Sequence, residues 1–294
     1  MGVLLPALFI NLRPFVPWLF GTMTFAGALN LRARELGKAA STPVPLLLFF
    51  TTAHIILPLA ALVLSRLIFS SEPDTVSGYV LLYAAPTAVT GFIWTSIFRG
   101  DPALSLTLIL LDSLAAPFVV PGTVRLLLGT NVSLNMTGMV ISLIYMLLVP
   151  TIVGVGLNEF SSGKIPARIS PYMRPLSKIC MILVIAANSS AVAPQVRFDS
   201  LRVWIIILVC VTFSTLGLLC GKLAGLVGKF DRKRQISLFF ASGLRNTSAA
   251  MTLAIDFFPA GAALPAMFGI MFQQATATVM SRLLIGKIDD RAGD

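Results

Sequence analysis

Ala241-Ser242-Gly243-Leu244-Arg245-Asn246-Thr247-Ser248 sets a glycine, an arginine and three hydroxyl or amide side chains in the middle of an apolar run. Ala84-Ala85-Pro86-Thr87-Ala88-Val89-Thr90-Gly91-Phe92 sets a proline and a glycine in the middle of another. Neither stretch suits an unbroken helix. Proline removes a backbone donor and clashes with the preceding turn, glycine lowers helix propensity, and arginine stays charged. Both nevertheless lie within runs close to the roughly 20 residues that cross a bilayer as a helix. They fall at similar places in two halves, about 1–130 and 136–290. Paired broken helices in two halves point to a transporter's binding site. The helix N-termini freed there carry partial positive charge and suit an anion. The competing possibility is that proline and glycine only kink two packed helices, since both are common in membrane spans.

Outward from these stretches the composition excludes a soluble enzyme core. Of 294 residues, 56% are hydrophobic and 12% charged, and the mean hydropathy is +0.90. Apolar runs recur along nearly the whole chain. In lipid the backbone must satisfy its own hydrogen bonds, which leaves helices or a closed barrel. The runs are too long and continuous for barrel strands, which alternate over about 10 residues. The expectation is an all-α membrane protein with nine transmembrane helices at 15–30, 43–69, 76–98, 103–128, 136–158, 172–193, 202–226, 235–257 and 261–285. The linkers are short and leave no room for a soluble domain, so residues 1–294 read as a single membrane domain. Residues 3–12 are apolar but run into Arg13 and Pro14 with no small-residue cleavage site, so no separate signal peptide is expected.

Charge gives an orientation. Alternate loops hold Arg32, Arg34, Lys38, Arg99, Lys164, Arg168, Arg174, Lys178, Lys222, Lys229, Arg232, Lys233, Arg234, Arg282, Lys287 and Arg291. The opposite loops hold Arg13, Arg66, Arg125, Arg197 and Arg202, and Arg245 is the remaining one of 22 cations. Cytoplasmic loops collect Lys and Arg, so the N-terminus is expected outside and the C-terminus in the cytoplasm, in a plasma (inner) membrane. The net charge of +10 then marks topology and contact with membrane lipid, and no nucleic acid is expected as a partner. In particular, Arg232-Lys233-Arg234 anchors the cytoplasmic face. Cys180, Cys210 and Cys220 stand singly, with no CxxC or metal spacing. Asn131-Val132-Ser133 and Asn135-Met136-Thr137 match glycosylation acceptors, a pattern that arises often by chance.

Three segments in order resemble the bile acid:sodium symporter family. Pro17-Trp18-Leu19-Phe20-Gly21 through Met23-Thr24-Phe25-Ala26-Gly27 resembles its first core helix. Pro86, followed by Arg99-Gly100-Asp101-Pro102-Ala103-Leu104-Ser105, resembles the first crossing helix and the turn after it. Gly243-Leu244-Arg245-Asn246-Thr247-Ser248 resembles the second crossing helix. The resemblance covers nearly the whole chain. It implies an inverted-repeat fold of a core and a panel, two unwound helices crossing in the core, and uptake of an organic anion, usually with two sodium ions. This chain is similar to the nine-span form, which lacks an extra first helix.

The positions that the resemblance assigns to sodium have changed. The family's Glu-x-Gly-x-Gln-Asn pattern falls on Ala241, Gly243, Arg245 and Asn246, and its Ser-Asn pair falls on Gly91 and Phe92. Its hydroxyl pair on the next helix becomes Ser105 and Ile109, and its earlier Gln falls at Ala53 or His54. The ordinary sodium sites are therefore expected to be absent, and no cofactor is expected. Arg245 brings a fixed charge where one sodium would sit. Ser105, Ile109 and Asp112 stand at i, i+4 and i+7 on one face of the fourth span, so Asp112 is a candidate partner for Arg245. The guanidinium could hold the crossing together, meet a substrate carboxylate as a bidentate fork, or form a purely structural ion pair.

Asn246, Thr247, Ser248 and Thr90 are the polar groups placed around the substrate, with Gln273 and Gln274 as further amide donors. Helix–helix hydrogen bonding is the alternative role for each. His54 is the single histidine and could carry a coupled proton, or simply be a satisfied buried side chain. Asp256 reads as a solvated helix end. The function expected is a secondary transporter or facilitator of a small organic anion. Alternatives are a sodium symporter with a site rebuilt from Asp112 and Ser105, and a ligand-binding sensor. An embedded enzyme is disfavoured, because one histidine and isolated cysteines supply no nucleophile–base pair.

Overall fold

The structure is a computed structural model that describes residues 2, 5–32, 43–129 and 135–286. Arg34, Lys38, Lys287, Arg291 and the triplet at 131–133 lie outside the described residues. Among the described residues the only ordered elements are helices and one isolated backbone bridge. In chain order the helices are α1 (Val16–Ala28), α2 (Pro43–Ile68), α3 (Pro73–Ala84), α4 (Thr90–Ile97), α5 (Pro102–Leu128), α6 (Met136–Phe160), α7 (Lys164–Val192), α8 (Leu201–Val227), α9 (Arg232–Gly243), α10 (Thr247–Phe257) and α11 (Ala263–Leu284). A short helix at Pro6–Phe9 and a 3-10 segment at Ile10–Phe15 lead into α1.

Among the described residues, five helices (α2, α5, α6, α7 and α8) are long and apolar enough to cross a membrane. The third and eighth expected spans are each split in two, as α3/α4 and α9/α10. The sixth begins earlier than the hydropathy implied. Its N-terminal end carries Lys164, Arg168, Arg174 and three prolines, which read as a linker, yet the helix starts at Lys164. Ser162 and Gly163 take positive φ (50° and 83°) and turn the chain sharply from α6 into α7. Pro166 sits in the first turn, where a missing N–H costs nothing.

Prolines also explain two widened turns. Pro58 in α2 follows a π turn at Thr52–Ile56, and Pro150 in α6 follows a π turn at Ile144–Leu148. Each proline fails to donate to the carbonyl four residues back and crowds it. The helix widens there, and His54 lies within the first of these turns. Helix starts follow capping chemistry. The Asp101 side chain accepts from the backbone N–H of Ala103 and Leu104 at 3.0 and 3.1 Å to open α5. Asn135, Asp231 and Asn246 cap α6, α9 and α10 in the same way.

The helices pack in two groups. α1 lies against α6 and α7, while α8 runs along α9 and α11, and α10 packs on α11. The α8–α9 contact uses Gly217, Gly221 and Gly225, a small-residue stripe at four-residue spacing that lets two backbones approach. A Cβ on Gly221 would come within 2.5 Å of the Leu238 carbonyl oxygen. This close approach brings the end of α9, and with it Arg245, into the middle of its group.

Candidate functional site

The two breaks meet. α3 stops at Ala84 and α9 stops at Gly243, and the extended residues after them run antiparallel with Thr87 opposite Arg245. The Ala88 N–H donates to the Leu244 carbonyl at 2.8 Å, and the Asn246 N–H donates to the Pro86 carbonyl at 2.7 Å. This answers the main physical problem of the site, since unwound backbone inside a membrane protein must find partners. Pro86 ends α3 by chemistry, and each break then supplies the hydrogen bonds that the other lost.

Side chains close the remaining account. On the far edge of the second break, Gln273 of α11 acts as a third strand: its Oε1 accepts from the Arg245 N–H and its Nε2 donates to the Arg245 carbonyl, each at 3.0 Å. The Thr87 hydroxyl donates to the Ala241 and Leu244 carbonyls at 2.7 and 3.1 Å, which serves the open end of α9. The Thr87 N–H donates to Asp112 Oδ2 at 2.7 Å. The Arg245 guanidinium reaches back to the Ala85 carbonyl at the end of α3. A cation at a helix C-terminus is well placed against the helix dipole.

Arg245 is 0% exposed, the bulkiest fully buried side chain among the described residues. It is part of the crossing's interior and not of an open face. Asp112, also 0% exposed, acts on Arg245 through space, but its direct partner is His54, with Nε2 to Oδ1 at 2.8 Å. The expected Arg245–Asp112 contact is thus replaced by a chain running from His54 through Asp112 and Thr87 to the backbone of Arg245. The reason is geometric. The π turn in α2 carries the imidazole to α5, and Arg245 points along its own break toward α3. Buried Ser105 and Ile109 share the Asp112 face, and the Ser105 hydroxyl has no hydrogen-bond partner.

The other expected residues divide in two. Gln274 accepts from Trp94 Nε1 at 2.7 Å and donates to the Thr90 hydroxyl at 3.2 Å, all three half-buried at the start of α4 and the facing part of α11. Asn246 and Ser248 are half-buried at the start of α10, and Thr247 is buried. Asp256 is held at 2.5 Å by Arg13, each about a third exposed (33% and 32%), so it is a paired helix end and not a free one. A cavity of about 850 Å³ lies away from the crossing, between α1 and α6, among Trp18, Phe25, Tyr145 and Val153. Thr87, Trp94 and Tyr83 went unnoticed in the sequence. Thr87 could have been found as the first donor after Pro86. Trp94 and Tyr83 carry no signal that separates them from other span aromatics.

Known proteins bear on this geometry. Residues 17–197, more than half of the chain, match the model of the Sodium Bile acid symporter family. The chain belongs to that family. It is 37% identical over 287 residues to the uncharacterized protein YbaS of Bacillus subtilis (strain 168), covering 97% of this chain and 93% of that one. It is 26% identical to a probable chloroplastic sodium/metabolite cotransporter, BASS3, of Oryza sativa subsp. japonica, covering 90% of this chain and 63% of that one. It is 24% identical to the uncharacterized sodium-dependent transporter YocS of Bacillus subtilis (strain 168), covering 92% and 83%. Family membership and several apolar helices together make this a multi-pass membrane protein of a solute-transporter family.

Proposed function

We propose that this protein is a secondary transporter or facilitator that carries a small organic anion by alternating access. It does so without the family's usual sodium sites. The proposal includes nine spans arranged as an inverted repeat of about 1–130 and 136–290. It also includes a core that moves against a panel, an external N-terminus and a cytoplasmic C-terminus in the plasma (inner) membrane. The observation that carries it is the pair of breaks, hydrogen-bonded to each other with a buried guanidinium between them. α4 and α10 both begin at this point, so two helix N-termini offer partial positive charge to an anion. Thr90, Gln274, Asn246 and Ser248 stand beside those starts and supply the polar lining. Relatives whose names describe sodium/metabolite cotransport and sodium-dependent transport support a metabolite-sized cargo.

Arg245 takes over the electrostatic part of a bound cation. Its guanidinium binds the carbonyl end of α3, so a fixed cation stands opposite Asp112 at the crossing. Arg245, Gln273, Asp112 and Thr87 are the frame, and the half-buried residues are the contact surface. A sodium-coupled symport is favoured by one observation, that the buried Ser105 and Ser242 hydroxyls have no hydrogen-bond partner. Asp112 already accepts one hydrogen bond at each oxygen, from His54 and Thr87, which leaves fewer lone pairs for a cation.

Counterflow in proteoliposomes tests the proposal, with labelled organic anions from pyruvate to a bile salt, in choline or sodium buffer. Uptake in choline supports it. Uptake only in sodium selects the symport, and binding without flux selects a sensor.

A further inference from the structure

We infer that the His54–Asp112 pair is a proton site, and that the cation coupled to the anion is a proton. This rests on the transport reading above. The pair lies in the interior, with side chains 6% and 0% exposed and Nε2 to Oδ1 at 2.8 Å. With the Nε2 proton donated to the carboxylate, Nδ1 carries the lone pair, and Nδ1 has no hydrogen-bond partner. One proton from water adds there and turns the pair from carboxylate–imidazole into carboxylate–imidazolium, and the same proton leaves from Nδ1 on the other side of the membrane. The Phe50 ring stacks on the imidazole at 5.6 Å and 25°. The π turn at Thr52–Ile56 that presents it is a geometry frequent at functional sites.

The charges around the pair give the proton its consequence. Arg245 faces Asp112 from the second break, and Tyr83 of α3 faces Arg245, with Cys210 of α8 and Tyr79 behind it. Residues 236–243 of α9 contain no titratable side chain, and the facing part of α11 contributes Gln273 and Gln274. In α6, Tyr145 is 60% exposed and lines the cavity beside α1. Asp112 and Arg245 therefore cancel, and the crossing has no net charge with His54 neutral. Protonation makes it positive. The change reaches the breaks directly, because the other oxygen of Asp112 holds the Thr87 N–H opposite Arg245. An anion at the starts of α4 and α10 then favours the proton, and the proton favours the anion by the same factor.

The chain has one histidine, so its ring nitrogens can be followed by NMR with no mutation. Protein labelled with 15N-histidine, in nanodiscs and sodium-free buffer, is expected to show ring signals that move between pH 5 and 9. Asp112→Asn is expected to change that pH response, because it takes away the carboxylate that the ring's Nε2 faces at 2.8 Å. Signals that ignore pH, or keep their midpoint in Asp112→Asn, overturn the proton site. Coupling is read in proteoliposomes enclosing a pH dye, with choline pyruvate as the probe. Internal acidification should accompany pyruvate entry and fall at least about tenfold in His54→Gln. Pyruvate entry without acidification overturns coupling and leaves the transport reading intact. No entry removes pyruvate as a substrate, and the NMR titration in wild type and Asp112→Asn still decides the proton site.

Discussion

The two breaks at the centre of the molecule are made in different ways. The first is held twice over: Pro86 has no N–H with which to continue α3, and Thr87 and Ala88 are also bonded across to Asp112 and Leu244. The second contains no proline. Gly243 weakens α9, Asn246 caps α10, and between them Arg245 is held extended by Gln273 on one edge and Thr87 on the other. One break has a proline as well as its partners, and the other has no proline to fall back on. Substitutions should therefore hurt the second far more than the first.

Arg245→Gln should have the largest effect. It strands the Ala85 carbonyl and leaves Asp112 without the opposing charge, and removing one partner of a buried charge pair costs about 3–5 kcal/mol. Thermal unfolding in detergent should show a large loss, and Arg245→Lys, which keeps the charge, should recover part of it. Gln273→Leu comes next. It removes both hydrogen bonds to the Arg245 backbone in the interior, and each stranded group costs roughly 1–3 kcal/mol. Because Gln273 and Arg245 serve the same strand, the double variant should lose less than the sum of the singles. Additive losses would show that the two breaks are not one structural unit.

Gly243→Ala sharpens the comparison, since propensity and packing predict opposite signs. Alanine improves an exposed helix by about 1 kcal/mol over glycine. Here a Cβ would fall within 2.3–2.5 Å of the Leu218 side chain. We expect net destabilisation, relieved by Leu218→Ala. Pro86→Ala should matter least of the break variants. Thr87, Ala88 and Asn246 keep the first break extended through their bonds to Asp112, Leu244 and Pro86, none of which needs the ring. A loss as large as that of Gln273→Leu would mean that the proline, and not the pairing, holds the crossing.

The same contrast marks what was legible in the sequence. The positions of both breaks and the long apolar helices could be read because each depends on the composition of its own stretch of sequence. The identity of partners could not. Asp112 lay on the correct face of its helix, and Arg245 was the obvious opposite charge. The actual partner, His54, was selected by a π turn that only Pro58 hints at, 58 residues away from Asp112. Gln273 looked like a donor to substrate and is instead occupied with backbone. A side chain that replaces a β-strand partner has no local signature. Gln274, one residue on, turns to Thr90 and Trp94.

The smallest expected effect is a null shift between sodium and choline at equal ionic strength. A ligand that binds only the folded state adds about 2.7 kcal/mol when present at 100 times its Kd, which a melting curve resolves easily. Of the positions that the resemblance matches to the family's sodium ligands, Ala241, Arg245, Gly91, Phe92 and Ile109 have no side-chain oxygen, while Ser105 and Asn246 keep one. The nearby carboxylate already accepts one hydrogen bond at each oxygen. A guanidinium buried at the same crossing would also repel a second cation, and in a medium of low effective dielectric that repulsion is strong. Sodium should leave the melting temperature unchanged in wild type. It should still do so in Arg245→Gln, because that change restores one amide oxygen and leaves Ala241, Gly91, Phe92 and Ile109 without any. Saturable stabilisation of wild type would place a cation site beyond the crossing. Stabilisation of Arg245→Gln alone would show that the two breaks still enclose a sodium-sized site and that the arginine fills it.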